Sequence, residues 1–474
     1  MANSNILSKR YATNEINRIF SEEYKILLER ELWIAVMKAQ KKLGVQISQG
    51  VIDKYEAAKD KIDLKKIEEI EKKRKHDVKA RIEAFVLAAN TEEHVHKGMT
   101  SRDLTDNVEQ LQIRLASKII LGKFISVLRH FIDKSNEYSN IVLTGRTHHQ
   151  PAQPTLLGRR FAMWAEELYL HLVEFERFIE DYPLKGIKGP VGTQFDMLTL
   201  LGDRRKVELL EKEVAKSLGF SNVLNSTGQV YPRSLDYMLL SKLSLLSSAC
   251  ENFAKGMRLM SGYELVTEGF KKGQVGSSAM PHKMNTRSCE RICGLSELVK
   301  MYADGASRLS GDQWEEGDVS CSVVRRVIIA DAFYAIDGLC ETTLTVINDM
   351  GVYPAVIKKE VERYMQFLAS TRMLMMAVQS GIGREEAHEI IKKYAVSEAL
   401  FMREGKDPNV SEKLANDPTF KKAGITKAKI DEILDGIQEF VGTAKDQIKE
   451  VEKKTNKLIK KYGKEAGYEP KEIL

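Results

Sequence analysis

The clearest apolar pattern in the chain follows Pro232. Leu235, Leu239, Leu243, Leu246, Cys250, Phe253, Met257 and Met260 recur in steps of four and three. Such a heptad-like seam predicts one long helix packed in a bundle. At a rise of about 1.5 Å per residue it would span on the order of 40 Å. A second helix is predicted after "HVHKGMTSRDLTDN". There Thr100 and Asp103 form a T-x-x-D start signal, and Val108, Leu111, Leu115 and Ile119 follow at helical spacing. From Glu15 to about Ala89 the pattern is also helical, and its charge-dense run "KDKIDLKKIEEIEKKRKHDVKARIEAF" reads as a solvated helix face. From about Tyr353 onward the chain is helical again, with a loop near "REGKDPNV" and a lysine-rich end.

Non-helical punctuation is sparse. It consists of "TGRTHHQPAQPT", "YPLKGIKGPVGTQ", "NSTGQVYPRS", "EGFKKGQVGSSAMPHKMN" and "GDQWEEGDVSCS". The expected fold is all-α with a long central bundle and a smaller helical region at each end. The expected division is 1–100, 101–352 and 353–474.

Composition agrees with this. The 474 residues are 43% hydrophobic, enough for two to four domains, and ten prolines with 30% charged residues suit helices. The net charge of +6 fits an anionic small molecule, or no special partner. No zinc-finger spacing, aromatic RNA-binding strand or arginine block suggests nucleic acid. Five scattered cysteines without a CxxC point to a reducing compartment. The N-terminus lacks an apolar core, and no run approaches eighteen apolar residues. The expectation is a soluble cytoplasmic protein that does not enter membranes.

Candidate chemistry lies in the punctuation. In "GQVGSSAMPHKMN", two glycines free the backbone and Ser277, Ser278 and Ala279 let it approach a ligand closely. Pro281 forbids helix, Lys283 is a point cation and Asn285 donates hydrogen bonds. Such a loop suits a carboxylate, and a flexible interdomain turn is the plainer reading. His148 and His149 sit between a glycine and a proline, either as structural residues or as a proton donor near neutral pH. His94 and His96 form an H-x-H, yet no cysteine or carboxylate set completes a metal site, so no metal is expected. Thr100 and Ser101 at a helix start would favour an anion, although capping alone also accounts for Thr100.

"GSSAMPHKMN" resembles the signature loop of the fumarase and aspartase superfamily, whose members eliminate fumarate from a succinyl substrate. "KHDV", "GMTS", "THHQPAQPT" and "TGQVYPRS", in that order along the chain, resemble the adenylosuccinate lyase family within it. The resemblance implies a three-domain all-α homotetramer whose central helices form one large bundle. It implies succinyl nucleotide substrates and no cofactor or metal. The products are fumarate with AMP, or with the aminoimidazole carboxamide ribotide on the route to IMP.

Matched position by position, the resemblance makes Ser277 the general base and His148 the general acid. Ser278, Lys283 and Asn285 hold the succinyl carboxylates. Thr100, Ser101, Gln229, His76 and Asp77 are further substrate contacts. Arg10 and Tyr11 form the phosphate-side pair, and Arg291, Ser322 and Arg326 are later substrate-binding positions. The resemblance also implies that His148 and Ser277 reach one site from different subunits. Their loops flank different long helices and are expected at opposite ends of the bundle.

Two departures stand out. Thr286 follows Asn285 where the family has proline, and Gly317 stands where an arginine is assigned to the nucleotide phosphate. Arg325 and Arg326 are the candidates to compensate. Other superfamily members, such as argininosuccinate lyase, fumarase and aspartase, share the loop. An inactive helical relic is the alternative from outside enzymology.

Overall fold

The structure, a computed structural model, describes residues 5–269, 279–280 and 282–472. Its centre is five long helices, α1 Ser101–Glu137, α2 Leu157–Asp181, α3 Ser234–Gly262, α4 Arg287–Leu309 and α5 Cys321–Asp349. They pack α1 on α2 and α5, α2 on α3, α3 on α4, and α4 on α5. The predicted seam is the buried face of α3. Leu239, Leu243, Leu246, Cys250, Phe253, Met257 and Met260 are all buried, while Leu235 at its start is half-buried. Phe253 meets Phe131 of α1 at 5.1 Å and Trp164 of α2 at 5.2 Å between ring centroids. Each such side chain contributes about 1.5–3 kcal/mol by leaving water.

The predicted start of α1 holds. Asp103 accepts the Thr100 N–H at 3.0 Å, the carboxylate half of a capping box. The same buried carboxylate accepts the Lys188 N–H at 2.9 Å and the Lys185 ammonium at 2.7 Å, so one side chain also fixes the distant loop around residue 188.

All-α holds with two small exceptions. Strands β1 Val142–Thr147 and β2 Gln150–Leu156 form a hairpin, and β3 Val266–Thr267 pairs with β4 Gly351–Val352. The first lies in punctuation whose Gly and Pro residues gave no strand signal. Each sheet has only two strands, so every strand is an edge, where proline is tolerated.

Between α1 and α5 the core holds charge. Lys123 bonds Asp337, and Glu341 at 2.6 Å, while Tyr468 donates to Glu341 at 2.6 Å and the Thr13 N–H to Asp337 at 2.6 Å. Burial works against the Lys123 charge, but Asp337 and Glu341 outweigh it and hold the ammonium protonated. The network ties both chain ends to the bundle. The helix Ala444–Lys461 packs on α1 and α2, whereas Met373, Leu414, Phe420 and Ile430 belong to a separate apolar cluster.

Candidate active site

The five helices run alternately up and down, so the bundle has two ends that carry different chemistry. At one end lie the starts of α1, α3 and α5. At the other lie the β1–β2 hairpin after α1, the end of α3 and the start of α4. The 37 residues of α1 separate the two ends by about 55 Å.

The α1-start end gathers Thr100, Ser101, His76, Asp77, Gln229 and Ser322. His76 caps the helix Asp77–Ala89, its Nδ1 accepting the Lys79 N–H at 3.4 Å with the ring half exposed. Ser322, in the first turn of α5, accepts from Arg102 at 2.5 Å. Arg102 Nη1 also donates to buried Asp106 at 3.1 Å, which in turn accepts the Tyr231 N–H and the Arg233 guanidinium. Two glycines let the Gln229 loop meet the α4–α5 connection. A Cβ on Gly228 would fall 2.0 Å from the Glu316 carbonyl oxygen, and one on Gly317 would fall 2.9 Å from the Gln229 Cβ. The Gln229 N–H donates to that Glu316 carbonyl at 2.6 Å.

Arg325 does not fill the gap left at Gly317. It is buried, donating to Asp236 at 2.7 Å, to Glu109 at 2.6 Å and to the Tyr231 hydroxyl. Burial opposes its charge, yet Asp236, Tyr231 and Glu109 hold it firmly cationic, facing inward. Arg326, one residue on, is exposed.

His96, weighed from sequence only as a metal ligand, belongs to this end. Its φ is 69°, and its Nδ1 accepts the Trp33 indole N–H at 3.1 Å. The Nε2 therefore carries the proton of the neutral ring. Burial chiefly pushes its pKa down to about 4, against Asp103 and with help from His76 and Lys79. The unfolded chain takes this proton near pH 6.5 and the folded chain only near 4, so the folded state loses stability as pH falls through that window. Proton NMR of the His96 ring should show a midpoint near 4; one above 6 would contradict the burial assigned to it.

At the other end, His148 and His149 are the two central residues of the hairpin turn, since Thr147 pairs with Gln150. Their φ values are 51° and 63°, the arrangement of a type I′ turn that usually takes Asn-Gly. Holding two such residues left-handed costs about 1–3 kcal/mol each. Strain of this size accumulates where a side chain must be presented, and here His148 is exposed at the tip. His149 Nε2 lies 3.3 Å from the Tyr263 hydroxyl. Arg146 stacks 4.2 Å over the Tyr263 ring and donates to Glu360 at 2.5 Å. Beside the turn is a cavity of about 510 Å³ lined in part by Arg146, His149, Arg160 and Tyr263. Burial pushes the Arg160 pKa down to about 10.

Ser277 and Ser278 lie outside the described residues. Their flanks are at the hairpin end, where Glu268 accepts the Ser288 and Cys289 N–H groups at 2.9 Å each and so caps α4. The flanks of that loop therefore lie at the same end as His148, where opposite ends were expected. The hairpin follows the first helix of the bundle and the loop follows the third, and these two run in the same direction. Lys283 is exposed and Asn285 half-buried just before α4. One turn into α4, the Arg291 guanidinium lies 5.7 Å over the Tyr11 ring, and exposed Arg10 ends the helix Ile6–Arg10.

The family profile described as Lyase matches residues 9–300, and that described as Adenylosuccinate lyase C-terminus matches residues 366–451. The adenylosuccinate lyase of Schizosaccharomyces pombe is 35% identical over 93% of this chain and 92% of its own. That of Saccharomyces cerevisiae is 33% identical over 97% of this chain and 96% of its own. Among solved structures, the 3-carboxy-cis,cis-muconate lactonizing enzyme of Pseudomonas putida superposes with a TM-score of 0.81 at 17% identity, covering 96% of this chain and 99% of that one. At that identity it supports the fold alone.

Proposed function

The chain belongs to the adenylosuccinate lyase family, and from that premise we propose how its residues perform the elimination. What carries the activity is identity of 33–35% to two yeast adenylosuccinate lyases over nearly the full length of both partners. The substrates are adenylosuccinate, which gives AMP and fumarate, and the succinylated aminoimidazole carboxamide ribotide, which gives the free carboxamide and fumarate.

Ser277 removes a proton from the carbon beside a succinyl carboxylate. The electron pair of that C–H bond becomes the new C=C bond, the C–N bond breaks, and His148 delivers a proton to the leaving nitrogen. Negative charge builds on the carboxylate, where Ser278, Lys283 and Asn285 stabilise it. Serine is a poor base unless its alkoxide is stabilised, which the Lys283 cation favours. Arg146 and Arg160 add positive potential beside the turn, where dianionic fumarate forms. Thr100, Ser101, Gln229, His76 and Asp77 contact the rest of the substrate, with Arg10, Tyr11 and Arg326 toward the phosphate and Arg291 and Ser322 at further substrate-binding positions.

A single chain does not bring its two ends together across the length of α1. The reading is therefore a homotetramer in which each site draws on several subunits. Exposed apolar residues support it. Met163 and Leu170 on α2, and Met238, Leu245 and Leu259 on α3, stand at multiples of seven residues and face outward from the bundle. Exposed heptad-spaced apolar positions suit partner helices. No helix of the described residues is long and apolar enough to cross a membrane, and the protein acts in the cytoplasm by this reading.

The test is fumarate release followed by absorbance from adenylosuccinate, the ribotide and argininosuccinate in parallel. Turnover of the first two at about 1–10³ per second is the expected range for an enzyme. Release from argininosuccinate alone would replace the assignment with the neighbouring family.

A further inference from the structure

We infer that Arg102 grips the 5′-phosphate monoester of the nucleotide, in the role left open by Gly317. This rests on the lyase reading above for the identity of the ligand. Arg102 is the second residue of α1, directly after Thr100 and Ser101. A cation in the first turn of a helix opposes the helix dipole, so its place there asks for a reason. Its side chain is only 12% exposed, and its guanidinium bridges Asp106 and the Ser322 hydroxyl. It is thus fixed at the point where the α1 start and the α5 start meet.

Two of the neighbouring cations are paired inside the protein. Arg325 is consumed by Asp236, Glu109 and Tyr231. Arg233 is buried, paired with Asp106 and stacked 4.3 Å over the Tyr231 ring. At position 317 the close approach to Gln229 leaves no room for a side chain unless the loops move apart. The Arg233 Nε and Nη1 groups without a partner are buried, whereas Arg102 is partly exposed and keeps donors of its own. A guanidinium carries five N–H groups, of which the Asp106 and Ser322 bonds use two. A hydroxyl that accepts keeps its own proton to donate, so Ser322 offers an O–H beside those N–H groups. Together they form a charge-assisted clamp for a phosphate dianion.

The experiment compares AMP with adenosine by calorimetry, since the two differ only in the phosphate, and follows with steady-state kinetics. Arg102→Gln should weaken AMP by about 10- to 100-fold, the range for losing charged hydrogen bonds, and leave adenosine within about twofold. The KM for adenylosuccinate should rise similarly while kcat stays within about threefold, as for an interaction equal in ground and transition states. Because Asp106 loses a partner in that variant, Arg102→Lys and Ser322→Ala provide a second route. Both should weaken AMP selectively, with lysine recovering part of the affinity. Equal weakening of AMP and adenosine, or no change in either, overturns the inference. So does a wild-type protein that binds AMP no more tightly than adenosine. If AMP binds in an Arg102-dependent way but no succinyl nucleotide is turned over, the lyase reading fails and the phosphate clamp stands.

Discussion

Replacing His148 with alanine is expected to lower kcat on adenylosuccinate by about 10³-fold, within the range that positioned acid–base catalysis supplies. The residue is exposed at the tip of a two-residue turn, and no core packing depends on its ring. The turn does depend on its backbone, because φ is 51° there. Alanine tolerates the left-handed region less well than asparagine, so His148→Asn is the sharper variant. It keeps the turn and removes the acid. Both variants should retain wild-type circular dichroism and a kcat reduced alike. Near-normal kcat in either, with the fold intact, would remove His148 from the mechanism. Ser277→Ala should show a loss of the same order, because the proposed step needs a base as much as an acid.

Inactive chains are also expected to rescue one another. One variant carries His148→Asn at the hairpin end. The other carries His76→Ala and Gln229→Ala at the α1-start end. A site that needs both ends has to take them from different chains, since α1 holds them about 55 Å apart within one. With random, equal mixing, half the hairpin ends and half the α1-start ends are intact. About one site in four then has both, and closed symmetry repeats this around the oligomer. Activity should return to roughly a quarter of wild type if each site acts independently. The checks are fumarate release before and after subunit exchange, with exchange verified by mass-tagged chains. No recovery after verified exchange would sink the shared site, even with the lyase activity intact.

The helices were legible because their information is local. In α3 the residues three and four apart that share a buried face are also neighbours in sequence, so period alone exposed Leu239 to Met260. The start of α1 was legible for the same reason, since Thr100 and Asp103 are three residues apart. The chemistry of the motifs was legible as residue types in non-helical stretches. Their placement was not. That the hairpin and the signature-loop flanks share one end follows from the direction of α1 and α3, which no single segment encodes.

Long-range partners decided the remainder. Trp33 reaches His96 across 63 residues and donates to its Nδ1, a contact no H-x-H spacing contains. Arg325 and Arg326 are adjacent in sequence, yet one turns into Asp236 and Glu109 and the other into solvent. Arg102 and Ser322 lie 220 residues apart in sequence, and the start of α5 brings the Ser322 hydroxyl against the guanidinium. Sequence by itself determined which segments are helical and which residue types are candidates for proton transfer and carboxylate binding, because periodicity and side-chain chemistry are properties of a few neighbouring residues. Only the tertiary structure decided which arginine is buried and which is exposed, and which candidate residues a single chain brings to one end. Burial and ion pairing depend on what the packed helices bring within a few ångströms of each other.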